Sequence, residues 1–206
     1  MEKRLNHLSD ITHLSNEYFA MRHGHSLANQ QAVIVSHPEN GCMGYGLSDM
    51  GVSQVQTRLQ QDCHLDSNTI IVSSDFRRAL ESAAIAQQLL DSVFPVTTDI
   101  RLRERNFGEL ELGPDSAYHS VWQQDQDDAD SDFRAVESSN AVMARVTALI
   151  VELESRYADT NLLLVSHGDA LQILQTAFAG LDASSHRQLK HLQTAEIRSL
   201  ELPDKQ

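Results

Sequence analysis

The chain has 206 residues, 41% of them hydrophobic, and a formal net charge of -13. That length suits one domain with a sizeable core, and the acidic balance repels polyanions, which excludes nucleic acid or an anionic membrane surface as a partner. No apolar run is long enough to span a membrane, Met1 to Asn16 lacks the apolar centre of a signal peptide, and Cys42 and Cys63 alone make no disulfide framework; a cytoplasmic protein with two free thiols is expected.

Leu5, Leu8, Ile11 and Leu14 recur three apart, which predicts a short surface helix within an N-terminal extension, 1–16, ahead of a domain over 17–206. Tyr18-Phe19-Ala20-Met21 has the bulk of a buried strand and stops abruptly at Arg22-His23-Gly24-His25-Ser26. Gly24 allows a sharp turn and a close approach to a bound group, and Ser26 is placed to cap a helix from Leu27. Free backbone N–H groups would then face the spot where Arg22 and His23 project, which suits an oxyanion.

Ser36 to Gly46, with Pro38, Asn40, Gly41 and Gly44, predicts a loop. Ser48 caps a helix whose apolar positions are Met50, Val52, Val55, Leu59 and Cys63. Thr69 to Ser73 reads as a buried parallel strand running into a helix from Arg77 to Leu90. Arg77 and Arg78 diverge by about a third of a turn at the start of that helix, so one of them faces a pocket at the strand end. A brief strand near Val96 to Thr98 leads to the charged stretch Leu102 to Gly108.

Gly113 to Asp132 is polar and ends in an acidic run, 125–132, which reads as a solvated loop; it lacks the central glycine and terminal glutamate of a calcium loop. Glu137 to Tyr157 carries Val142, Val146, Leu149, Ile150 and Leu153 on one helical face. Leu162 to Ser166 is a strand, His167-Gly168 repeats at its end the arrangement of the first, and a helix follows through Leu171, Leu174 and Phe178. Ala195 to Leu202 predicts an edge strand that Pro203 terminates. Alternating strands and helices predict a three-layer αβα sandwich around a mostly parallel sheet, with reactive residues at the carboxyl ends of strands.

Arg22-His23-Gly24 with Ser26 and Asn29, Leu47 to Gln54, Ser73 to Ala79, Leu102 to Gly108 and Leu162 to Gly168 together resemble, in order, the signature of the histidine phosphatase superfamily, the phosphoglycerate mutase-like enzymes. The likeness runs from Tyr18 to about Leu174. It implies a phosphoglycerate mutase-like fold, selects Arg78 over Arg77 as the phosphate ligand, and makes Glu104 a proton donor rather than an ion-pair partner of Arg103 or Arg105. The expected catalytic set is His23, Glu104 and His167. Arg22, Arg78, Asn29, Ser26 and Gly168 are expected to bind phosphate.

Residue chemistry agrees with that expectation. A phosphoryl group spreads charge over three oxygens and needs cationic donors in fixed directions; two guanidinium forks supply them, joined by His167 when the bound dianion protonates it. A neutral His23 would attack phosphorus to give a phosphohistidine, Glu104 would protonate the leaving alkoxide and then activate water, and no metal or cofactor is expected. The expected substrate is a small phosphorylated molecule, with inorganic phosphate as product.

Hydrolysis is favoured over a phosphoglycerate-type mutase reaction because the interval between Glu104 and His167 holds an acidic loop rather than a basic segment; a protein-phosphohistidine phosphatase is a further alternative. A zinc site of His23, His25, His167 and Asp169 leaves the arginines unexplained. Because 30–48 contains no lysine or arginine, a single-phosphate substrate is expected unless Arg105, Arg134 or Arg145 folds inward. His25 stays outside the catalytic set, and His7, His13, His37, His64, His119, His186 and His191 read as surface or capping groups. The sequence sets no oligomeric state.

Overall fold

Strands β1 (Glu17–Arg22), β2 (Ile70–Ser73), β3 (Thr97–Thr98), β4 (Asn161–Ser166) and β5 (Ile197–Leu200) form one sheet in the order β3-β2-β4-β1-β5. This is a computed structural model, and it describes residues 5–62 and 64–203. All neighbours are parallel except β5, which runs antiparallel to β1 at one edge. The helices are α1 (Leu27–Gln31), α2 (Pro38–Gly41), α3 (Asp49–Gln61), α4 (Arg77–Leu90), α5 (Tyr118–Asp127), α6 (Ser139–Arg156) and α7 (Gly168–Phe178).

The unbroken apolar runs of β1 and β4 follow from burial on both faces. Tyr18, Ala20, Leu162 and Leu164 pack with Val142, Val146, Ile150, Leu171 and Leu174 of α6 and α7. Phe19, Met21, Leu163 and Val165 pack on the other side with Val55 and Leu59 of α3 and Ala79, Ala83 and Ala86 of α4. The three expected layers are therefore present. A satellite cluster of Ile34, Phe107, Leu110, Val121 and Val136 seats α5 beside the sheet.

Four expectations are corrected. His7 to Asp10 makes turns where a helix is predicted, because the Asn6 side chain accepts a hydrogen bond from Leu8 N (2.9 Å) and so competes with helical pairing; Leu8 still packs into the α6–α7 side, and Met1 to Arg4 lie outside the described residues. Met50 is exposed, and α3 instead buries Gly51, Val55 and Leu59; Cys63 lies outside the described residues. The polar stretch read as a loop contains α5, and Asp125 is not solvated: it is 1% exposed and takes two hydrogen bonds from the equally buried Arg105, at 2.6 and 2.7 Å. The loop over 36–46 also holds α2, capped by His37.

Candidate active site

Parallel pairing brings the two imidazoles together. Arg22 lies opposite Ser166 in the β1–β4 register, and His23 N donates to the Ser166 carbonyl (3.0 Å), so His23 and His167 leave adjacent strands at the same edge. Their ring centroids are 5.1 Å apart at an interplanar angle of 62°. On the other side of β4, Ser74 N donates to the Val165 carbonyl (2.9 Å), which sets the Ser74 hydroxyl 2.8 Å from His167 Nε2.

The chain then enters α4, whose first turn carries Arg78 to His23: Arg78 Nε donates to His23 Nε2 at 3.0 Å and Nη2 donates to the Val35 carbonyl at 2.9 Å. Arg77 turns outward to Glu81 at 2.7 Å. One arginine of the pair thus faces the histidines, and it is Arg78.

Gly24 is needed for a reason other than the expected turn. A Cβ there would lie 2.5 Å from the Gly51 carbonyl oxygen, and one on Gly51 would lie 2.0 Å from the His25 carbonyl oxygen. Two glycines therefore let the end of β1 rest directly on the start of α3.

The tautomer of His23 is set by its neighbours. Nδ1 lies 2.8 Å from the Gly24 carbonyl, which can only accept, so Nδ1 carries the proton and Nε2 offers its lone pair toward Arg78. Burial, then Arg78 and Arg22, hold the titration of His23 well below the ordinary imidazole range. His167 is pushed the same way, by burial first and then by Arg78 and His23. Arg22 Nε, Arg78 Nη1 and His167 Nδ1 are enclosed and have no partner among the described residues. Buried polar groups are ordinarily paired, and unpaired guanidinium donors beside two imidazoles fit an anion.

Glu104 reaches this cluster from the segment after β3. Arg145 clamps that segment by donating to the carbonyls of Arg101, Arg103 and Glu104 (2.5, 3.0 and 3.3 Å), and Glu137 holds Arg145 at 2.8 Å. Glu104 Oε1 accepts from Arg105 N (2.9 Å) and from Ala170 N in the first turn of α7 (3.2 Å). Burial, then the nearby Asp169 carboxylate, raises its titration above the usual glutamate range, the condition for an acid that still holds a proton.

The other sequence-derived candidates are distributed as follows. Ser26 is fully buried and its hydroxyl is engaged with Asn29, donating to Oδ1 at 2.9 Å and accepting from the Asn29 N–H at 3.3 Å in a capping box at α1. Gly168 opens α7, and a Cβ there would sit 3.5 Å from His191 Cε1 and 3.6 Å from Arg22 Cζ. His25 Nδ1 pairs with the Ser48 hydroxyl at 2.8 Å. Asp169 accepts from Trp122 Nε1 at 3.0 and 3.1 Å. His23, His25, His167 and Asp169 are not gathered around one point, and among the described residues no three side chains of metal-ligating type are grouped to hold an ion.

The three spare arginines are placed as follows. Arg105 is taken up by Asp125, Arg145 by Glu137 and the chain before Arg105, and Arg134 lies on the surface.

Sequence reasoning missed several neighbours. Tyr118 packs edge-on to Phe107 (4.7 Å) and stacks on Trp122 (5.5 Å), and its hydroxyl is pushed up by burial and by Glu104 and Asp169. Arg187 lies over the Trp122 ring at 3.7 Å. Two histidines expected at the surface are elsewhere: His186 is fully buried 3.2 Å from Asp125, and His191 Nε2 lies 2.8 Å from Arg22 Nη1. A cavity of about 1060 Å³ lies at the opposite end of β1, lined by Glu17, Tyr18, Arg58 and Leu200, and contains none of the groups above.

Comparison with known proteins agrees with this arrangement. The family model described as the histidine phosphatase superfamily (branch 1) matches residues 18–206. A "Probable phosphoglycerate mutase GpmB" of Proteus mirabilis is 30% identical over 183 residues, covering 84% of this chain and 80% of that protein, and one of Yersinia pestis is 28% identical over 179 residues.

Among solved structures, a mycobacterial glucosyl-3-phosphoglycerate phosphatase superposes with a TM-score of 0.72 at 24% identity, covering 89% of this chain and 88% of that one. The alpha-ribazole phosphatase from Shigella flexneri gives a TM-score of 0.71 at 23% identity, covering 89% of each chain. A match running from the first strand to the end of the chain, over a fold that puts both strand-end histidines side by side, makes this protein a member of the histidine phosphatase superfamily.

Proposed function

We propose that the protein is a metal-independent phosphomonoester hydrolase that works through a phosphohistidine on His23. The observation that carries this reading is the fixed tautomer of His23: Nδ1–H is tied to the Gly24 carbonyl, so Nε2 is unprotonated and directed at the cluster of Arg22, Arg78 and His167. Phosphate oxygens would take the enclosed donors Arg22 Nε, Arg78 Nη1 and His167 Nδ1. Arg78 Nε would release the nucleophile as it engages an oxygen, and Nε2 would then attack in line.

Asn29 and the Gly168 N–H complete the cage, with Ser26 acting by holding Asn29 through the capping box. Glu104 delivers the proton to the leaving alkoxide and afterwards takes one from water.

Hydrolysis fits better than phosphoryl return to a product. The relatives named as probable mutases support the second reading, but here the stretch after Glu104 spends Arg105 on Asp125 and contributes no free cation to the cage. The same economy of cations supports a substrate with one phosphate. Screening phosphorylated metabolites with wild type and His23→Ala tests the proposal: release of inorganic phosphate by the wild type and its loss in the variant are expected, and equal turnover by both contradicts it.

A further inference from the structure

Arg22 is oriented from the far end of the chain. Its Nη1 donates to two acceptors from the segment between α7 and β5, His191 Nε2 at 2.8 Å and the Leu192 carbonyl at 2.9 Å, and this leaves Nε enclosed and unpartnered. The His191 ring also lies against the start of α7, where a Cβ on Gly168 would be 3.5 Å from its Cε1.

A guanidinium can only donate, so His191 Nε2 must carry a lone pair, and the proton sits on Nδ1. That Nδ1 is enclosed without a partner among the described residues. An unpaired buried N–H costs stability, and the ring accepts that cost in the orientation that gives Arg22 its acceptor.

We infer that His191 is a positioning residue: its Nε2 fixes the rotation of the Arg22 guanidinium so that Nε points at the phosphoryl site. The inference rests on the phosphatase reading above, in which Arg22 binds phosphate. The groups facing the ring are Arg22 from β1, Arg187 and Glu196 from the segments flanking it, and Asp169 from α7. Burial, followed by Arg22 and Arg187, lowers its titration to about 4 against the opposing pull of Asp169 and Glu196, so it remains an acceptor at neutral pH. Glutamine can present a carbonyl oxygen near the place of Nε2, whereas leucine fills the space without an acceptor.

The test combines orthovanadate titration with a ring measurement on the full-length protein. His191→Leu is expected to weaken vanadate binding and raise KM for a phosphate ester by about 10- to 100-fold, the range for losing a charge-assisted hydrogen bond. His191→Gln should restore binding to within about threefold of wild type, well inside one tenfold step. ¹⁵N shifts of the wild-type imidazole should report the proton on Nδ1 at pH 7.

A His191→Leu variant that binds like wild type, a His191→Gln variant weakened as much as His191→Leu, or a proton on Nε2 would each overturn the inference. A wild type that neither binds vanadate nor hydrolyses any ester would instead overturn the phosphatase reading, and the ring measurement would still judge the contact.

Discussion

At the scale of single residues, protonation decides what the site can do. In the proposed reaction His23 must be neutral to attack and Glu104 must be protonated to donate. The titration of His23 is lowered by burial and by Arg78 and Arg22, and that of Glu104 is raised by burial and Asp169. Activity is therefore expected above the lowered imidazole value and below the raised carboxyl value: it should persist well under pH 6.5 on the acid side and fall on the alkaline side as Glu104 ionises.

Glu104→Gln should remove the alkaline limb and slow alkyl phosphates by about 10²- to 10⁴-fold, the usual range for general acid catalysis. An aryl phosphate, whose leaving group needs no proton, should give that variant a rapid burst of phenol followed by slow turnover. A variant with the wild-type pH profile would remove Glu104 from the proposed role.

At the scale of elements, the sequence was most readable where burial is two-sided. β1, β2, β4 and α4 are continuous apolar runs or tight stripes bounded by polar breaks, and α4 spans Arg77–Leu90 as its pattern predicts. The strand ends that carry the two histidines were legible for the same reason, since Arg22-His23 and Ser166-His167 each follow four apolar residues.

α5 was not legible, because its seat depends on Asp125 meeting Arg105 across 20 residues, and a buried acidic side chain reads as a solvated one until its partner is known. Distance in the chain hid the supporting partners too: His191 lies 169 residues from Arg22, Ser74 lies 93 from His167, and Trp122 lies 47 from Asp169. Gly51 belongs to this scale, where the end of β1 rests on α3. Gly51→Ala, whose Cβ would meet the His25 carbonyl at 2.0 Å, should destabilise the fold by about 1–3 kcal/mol and lower kcat by displacing His23. Urea denaturation with kinetics on the folded variant checks this, and unchanged stability would show that the contact relaxes freely.

At the scale of the whole molecule, a chain of net charge -13 concentrates guanidinium groups at the carboxyl ends of β1 and β4 and leaves several of their donors unpaired. An anion that binds only the folded state should stabilise it by mass action: inorganic phosphate at about 100 times its Kd adds about 2.7 kcal/mol, which for a chain of this size raises Tm by about 5–10 °C. Arg78→Leu should abolish that rise, and an equal rise in the variant would place phosphate elsewhere.

The most direct measurement is chemical trapping. Wild-type protein mixed briefly with a turned-over phosphate ester and quenched in alkali should carry a phosphoryl group on His23, stable to base and lost in acid, and Glu104→Gln should accumulate more of it. A phosphoryl group on another residue, or sustained turnover by His23→Ala, would contradict the account.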